Sequence, residues 1–237
     1  MKRPSAIVAA MAVAATATAA DLRLQLGMPP DSGSFSAEAS GKSNAETGAP
    51  GLSEAESETL GPSSRAWRFG LSLVADIDED APDSTGWRFG ITGVYQRFTV
   101  VAAKADHDHS ALIGDLELAW AAGNRVIAFE TAVFAGLGFA EANRHGGRIE
   151  SPNGTVANAT GWLVEYGLRA GGTLNLGQWQ LAADLRLMDQ RIEVKGQGRT
   201  RPDPDPTAND PGGASVTFKE RVKRTGLGGT ISLGWRF

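Results

Sequence analysis

The sequence predicts an all-β protein, an eight-stranded antiparallel up-and-down transmembrane β-barrel, and three observations point to it. A charged and then apolar N-terminus marks the chain for export, the rest places apolar residues at every second position in repeated short runs, and six tryptophans gather near the ends of those runs. The 30 glycines and 11 prolines weigh in the same direction, because both residues are poor in helix interiors.

Lys2 and Arg3 precede an apolar stretch, Ala6 to Ala15, followed by the small residues Thr16-Ala17-Thr18-Ala19-Ala20. This is the pattern of a secretory signal peptide over residues 1–20, cleaved after Ala19 or Ala20, and it leaves 21–237 as one mature domain. The apolar stretch is well short of the roughly 20 residues of a membrane-spanning helix. No later segment has a long apolar run, but transmembrane strands carry apolar residues only at alternate positions and escape a hydropathy scan. Without Lys2 and Arg3 the formal charge moves from −4 to about −6, which argues against nucleic acid as a partner. The chain has no cysteine, so stability must come from a core or a closed sheet.

The strands follow from the alternation. Asp21 to Gly27 alternates directly after the cleavage site and is the expected first strand. Trp67, Phe69, Leu71, Leu73 and Ala75 form the apolar series of the second, and Trp87, Phe89, Ile91, Gly93 and Tyr95 that of the third. After Gln96 the apolar residues become Phe98 and Val100, which predicts either a bulge or a strand running on beyond a bilayer. Leu112 to Trp120, Ile127 to Phe139, Trp162 to Ala170, Trp179 to Leu187 and Leu227 to Phe237 supply the remaining five. The connections 28–64, 104–110, 141–159 and 195–215 then fall on one side, and 78–86, 122–124 and 174–178 on the other. Long surface loops opposite short periplasmic turns are the expected asymmetry. Segment 28–64, with Asp31, Glu38, Glu46, Glu54, Glu56 and Glu58 against Lys42, reads as a long flexible loop, and Arg201-Pro202-Asp203-Pro204-Asp205-Pro206 as a stiffer tip.

Alternation alone does not say whether lipid or water lies outside. Trp67, Trp87, Trp120, Trp162, Trp179 and Trp235 all lie on the apolar series, four toward the periplasmic rim and Trp67 and Trp162 toward the outer rim, as in the aromatic girdles of a membrane barrel. The opposite series collects Arg23, Arg68, Arg88, Arg169, Arg186, Arg224 and Arg236 with Asp115, Glu117, Glu130, Glu165 and Asp184. An Arg or Lys facing lipid costs about 2–4 kcal/mol at the midplane, so this face points inward, where its charges pair and fill a narrow lumen.

With the signal peptide, the strand rhythm and the ending Gly228-Gly229-Thr230-Ile231-Ser232-Leu233-Gly234-Trp235-Arg236-Phe237, the chain resembles the small outer-membrane barrel superfamily that includes the transmembrane domain of outer membrane protein A. The resemblance implies the outer membrane of a Gram-negative bacterium, with its lipids and lipopolysaccharide as surroundings. It also implies that Leu233, Trp235 and Phe237 form the signal read by the barrel assembly machinery.

Candidate chemistry is sparse. His107-Asp108-His109 offers two imidazoles on one face of an extended segment, short of the four ligands of a structural zinc site, and reads as an exposed loop. Asp76, Asp78 and Asp80 open like a calcium loop, but Ala81 replaces the required glycine and Trp87 stands where the bidentate glutamate belongs. A looser site with Asp83 remains an alternative. Some barrels that this chain resembles modify lipid A with a serine, a histidine and an acid, and His109-Ser110 with Asp108 or Glu141 is the candidate set here. Adjacent strand residues point to opposite faces, so His109 does not readily activate Ser110. The expectation is therefore a cell-envelope protein without catalysis, cofactor or metal, whose loops contact an extracellular ligand. A narrow porin-like pore and, further off, a lipid A-modifying enzyme are the alternatives.

Overall fold

The structure, a computed structural model, describes residues 20–43, 51–61, 66–77, 85–151, 153, 156–202 and 211–237. Residues 1–19 of the expected signal peptide, Glu46 of the expected loop, Asp78, Asp80, Ala81 and Asp83 of the calcium-loop alternative, and residues 203–206 of the proline-rich tip lie outside them.

All regular structure among the described residues is strand: β1 Ala20–Met28, β2 Gly33–Gly41, β3 Leu52–Leu60, β4 Trp67–Asp76, β5 Gly86–Val101, β6 Asp106–Gly123, β7 Ile127–His145, β8 Ile149–Glu150, β9 Ala157–Leu176, β10 Trp179–Thr200 and β11 Ser215–Arg236. Eight of them close a ring in the order β1, β4, β5, β6, β7, β9, β10, β11 and back to β1, every neighbour antiparallel. Closure is made by the segment after the expected cleavage site, with Leu22 opposite Trp235 and Leu24 opposite Leu233. At the end of the barrel where β1 begins, the β6–β7 and β9–β10 connections are tight. Asn124 accepts backbone hydrogen bonds from Val126 and Ile127 through its side chain, and Gly177 turns β9 into β10 at a φ of 68° that favours glycine.

The barrel has two storeys with opposite polarity. In the lower one the outward series is apolar, running from Trp87 to Tyr95, Leu112 to Trp120, Trp179 to Leu187 and Leu227 to Trp235. Each run is about nine residues, the length a tilted strand needs to cross a bilayer core. In the upper storey the same strands continue without a break, but Phe98, Val100, Ile192, Val194, Phe218 and Val222 point inward while Arg97, Arg191, Glu193, Lys219, Arg221 and Lys223 point outward. The lower storey is built for an apolar exterior and the upper one for water.

This inversion corrects several expectations. No bulge follows Gln96: β5 keeps its register through Gln96↔Ala111 and Phe98↔His109, and the strand runs on past the apolar belt. The 28–64 segment is not simply a flexible loop, because β2 and β3 form a hairpin that pairs with the upper half of β11 from Gly33↔Arg224 to Gly41↔Val216. Its Ser, Ala and Glu residues alternate small or apolar inward positions, Phe35, Ala37 and Ala39, with exposed polar ones, which suffices when a neighbouring strand supplies the ladder. Likewise 104–110 is mostly β6, and parts of 141–159 and 195–215 prolong β7, β9, β10 and β11. Above the belt the hairpin occupies the place beside β11 that β1 holds below it.

Candidate functional site

The interior of the lower storey is an ionic network. Glu130 of β7 accepts from three arginines: Arg23 of β1 at 3.0 and 3.1 Å, Arg88 of β5 at 2.6 Å and Arg169 of β9 at 3.0 Å. Arg169 also donates to Glu117 at 2.9 Å and to Asp184 at 2.7 Å, while Arg88 reaches Asp76 at 2.7 Å. Arg68 of β4 donates to Glu165 at 3.2 Å and to Asp115 at 3.3 Å. Arg236 closes the lower end on Asp21 at 2.9 Å, and Arg186 donates to Gln25 at 3.2 Å beside the Phe134 ring. All twelve charged residues of the opposite series named from the sequence face inward, and all but the half-buried Arg236 are buried. Two glycines make room for the carboxylates, since a Cβ on Gly136 or Gly171 would fall 1.9 Å from Asp115 or 2.1 Å from Asp184.

The bridges cross the barrel along each of its diameters. In the eight-membered ring, strands four places apart face each other, and each such pair is joined: β1 to β7 by Arg23 and Glu130, and β4 to β9 by Arg68 and Glu165. Higher up, β5 meets β10 through Gln96 and Gln190, and β6 meets β11 through His107 and Glu220. Strand tilt turns these four contacts into a staircase, so an ion moving along the axis meets all of them.

The top step is a second cluster. His107 sits between two carboxylates, with Nδ1 2.8 Å from Glu220 and Nε2 2.9 Å from Glu56 of the hairpin, and Arg144 of β7 donates to Glu54 at 3.3 Å. Phe98 stacks on His109 with ring centroids 4.7 Å apart, and Phe35 packs against His107 at the same separation. The Arg224 guanidinium lies 4.1 Å over Phe98 and donates to the Pro30 carbonyl at 2.8 Å. Burial holds His109 down at about 4 despite nearby Glu220, and holds Arg224 down at about 10. Burial acts to raise Glu220, but hydrogen bonding and charge from His107, with smaller contributions from His109 and Arg144, outweigh it and leave the carboxyl below its usual range. Lys104, in the β5–β6 turn, donates to the Ala55 carbonyl at 3.2 Å, and with Arg144 and His107 it fastens the hairpin to the rim.

His107 and His109 are thus buried in β6 rather than exposed in a loop, because β6 starts at Asp106 and gives both the inward parity. Among the described residues no group of three or more His, Cys, Asp or Glu side chains is arranged to hold a metal ion. Ser110 points away from His109 on the opposite face of the strand, and Glu141 pairs with Ser110 on that outer face. Glu220, Glu56, Arg144, Gln96 and Gln190 escaped the sequence reading. Their alternation is regular, but only the continuation of the strands beyond the belt assigns it a face.

Five of the tryptophans, Trp67, Trp87, Trp120, Trp162 and Trp179, are between 40% and 72% exposed on the outer wall. Trp87 meets Trp120 at 5.4 Å and Trp179 meets the half-buried Trp235 at 4.7 Å around the lower edge of the belt. Trp67 contacts Tyr95, and Trp162 contacts Phe139, along its upper edge. Leu233 and Phe237 continue the outward series at the end of β11.

No family model and no curated protein matches the chain. Solved structures with a similar course include the outer membrane protein OprG from Pseudomonas aeruginosa, at 12% identity, 93% of this chain, 96% of that one and a TM-score of 0.49. Ail, the attachment invasion locus protein of Yersinia pestis, gives 12%, 92%, 98% and 0.33, and the outer membrane protease OmpT from Escherichia coli gives 9%, 92%, 97% and 0.37. The fold itself rests on the strand pairing of the closed ring.

Proposed function

We propose that the protein is an integral outer-membrane barrel with a closed lumen, a non-enzymatic envelope protein that presents its water-facing upper storey at the cell surface. The supporting observation is the reversal of polarity within continuous strands. Below it, all eight ring strands expose an apolar belt bordered by indoles, far larger than the few hundred Å² of contiguous apolar surface a soluble monomer tolerates. Inside the belt, charges face one another rather than water, and the four diameter bridges favour a scaffold over a pore.

The test is to fractionate expressing cells, compare gel migration of boiled and unboiled protein, and reconstitute the purified barrel in planar bilayers. A heat-modifiable band in the outer-membrane fraction and no unitary conductance are expected. A soluble periplasmic product would refute the membrane assignment, and steady conductance that changes on Glu130→Gln would refute the closed lumen.

A further inference from the structure

We infer that the outer wall formed by β2, β9, β10 and β11, immediately above the apolar belt, binds the multiply phosphorylated glycolipid headgroup of the outer leaflet, of the lipid A type. The inference rests on the membrane reading and adds to it a specific side of the barrel and a ligand chemistry. Strand register sets two outward rows across these four strands. One holds Val164, Arg191, Lys223 and Ser34, and the next holds Trp162, Glu193, Arg221 and Ser36. These residues line a groove on the wall, and beneath it, past the row of Tyr166, Asp189 and Thr225, the belt continues with Leu168, Leu187 and Leu227.

Charge singles out this side. Among the described residues of this wall from the Asp189 row up to the Lys195 row, the cations Arg191, Lys195, Lys219, Arg221 and Lys223 share the carboxylates Asp189, Glu193 and Glu38. Positive charge is in excess there although the whole chain carries −4. Across the barrel, the outward positions of β5, β6 and β7 at the same height hold Arg97 against Asp106, Asp108 and Glu141. Apart from Lys219 these basic side chains are half or more exposed, with Arg191 at 63% and Lys223 at 52%, so their surface ion pairs are weak and exchange readily for phosphate oxygens.

A ligand fitting this place needs an apolar part that runs down the belt and an anionic part at its rim. Cations spread over two strands suit a headgroup with more than one phosphate better than a single phosphodiester. The exposed Trp162 ring and the Ser34 and Ser36 hydroxyls suit sugar faces and hydroxyls.

The test is native mass spectrometry of the folded full chain in detergent with bisphosphorylated lipid A, and with phosphatidylglycerol as the single-phosphate comparison. Arg191→Ala/Arg221→Ala/Lys223→Ala should bind lipid A at least tenfold more weakly than the parent, Arg97→Ala should bind as the parent does, and phosphatidylglycerol should bind at least tenfold more weakly than lipid A. Each variant is first checked for a heat-modifiable band, and Arg221→Glu alone serves if the triple variant does not fold. Equal binding by the folded variant and the parent would overturn the site, and equal binding of the two lipids would overturn the glycolipid assignment. A parent absent from the outer-membrane fraction would instead remove the reading on which the inference rests.

Discussion

Gln96 of β5 and Gln190 of β10 face each other across the full width of the barrel and exchange two amide hydrogen bonds, of 2.8 and 3.0 Å. Gln190 also donates to Glu165 at 2.6 Å, so the pair ties the ionic network of the lower storey to the mixed interior of the upper one. Replacing Gln96 by Leu leaves the Gln190 carbonyl oxygen without this partner in a fully buried position, at a cost of about 1–3 kcal/mol. Urea titration of the protein folded into lipid vesicles should show that loss, and an unchanged midpoint would mean the pair contributes nothing.

Arg169 carries more. Its guanidinium holds Glu117, Glu130 and Asp184 from three different strands, and Arg169→Met would leave Glu117 and Asp184 buried inside the barrel without its charge. Removing one partner of a buried ionic cluster costs about 3–5 kcal/mol, so the variant should lose its heat-modifiable band at a markedly lower temperature than the parent. Arg169→Lys should recover only part of the loss, since an ammonium cannot reproduce the forked contacts.

How much of this was legible in the sequence depends on height in the barrel. In the belt the alternation of Trp179, Leu181, Ala183, Leu185 and Leu187 is uniform, and the opposite parity gave each lumen charge its face. Partnership was not legible, because the pairing of Arg23 with Glu130 depends on strand tilt and stagger, which local pattern does not encode. Above the belt the same alternation continues with its polarity reversed, and read locally it looks like a slipped parity at Gln96 or a solvated acidic loop at Glu54 and Glu56. The buried cluster of His107, Glu220 and Glu56 was hidden for that reason.

His109 makes the upper storey sensitive to acid. Its imidazole stacks on Phe98 beside Phe35 and is faced by Glu220 and Arg224 from β11, by His107 on its own strand and by the charge of Asp108. In the folded protein it takes a proton only near pH 4, whereas an unfolded histidine does so near 6.5. Between these values the unfolded chain binds more protons, so stability falls as pH falls, by up to about 3 kcal/mol. The lowered Glu220 carboxyl acts in the same direction below about pH 4.5. His109→Phe keeps the stacking shape and removes the titration. Unfolding midpoints from pH 7 to 4 should decline less steeply for the variant, and parallel slopes would assign the acid sensitivity elsewhere.

Phe237 separates assembly from stability. Its ring is 71% exposed at the end of the outward series Leu233, Trp235 and Phe237, and its backbone N–H donates to the Ala20 carbonyl at 3.0 Å, a bond that a substitution with another side chain preserves. Phe237→Ala therefore removes a lipid-facing ring and no ladder hydrogen bond, a change of about 1–2 kcal/mol at most. Refolding of the purified variant into vesicles should proceed nearly as for the parent. If the final aromatic is read during insertion in the cell, the assembled, heat-modifiable fraction should still fall several-fold, with unassembled chain left in the periplasm. A variant that falls equally in vesicles and in cells would make Phe237 a stability residue, and one that assembles normally in cells would remove the recognition role.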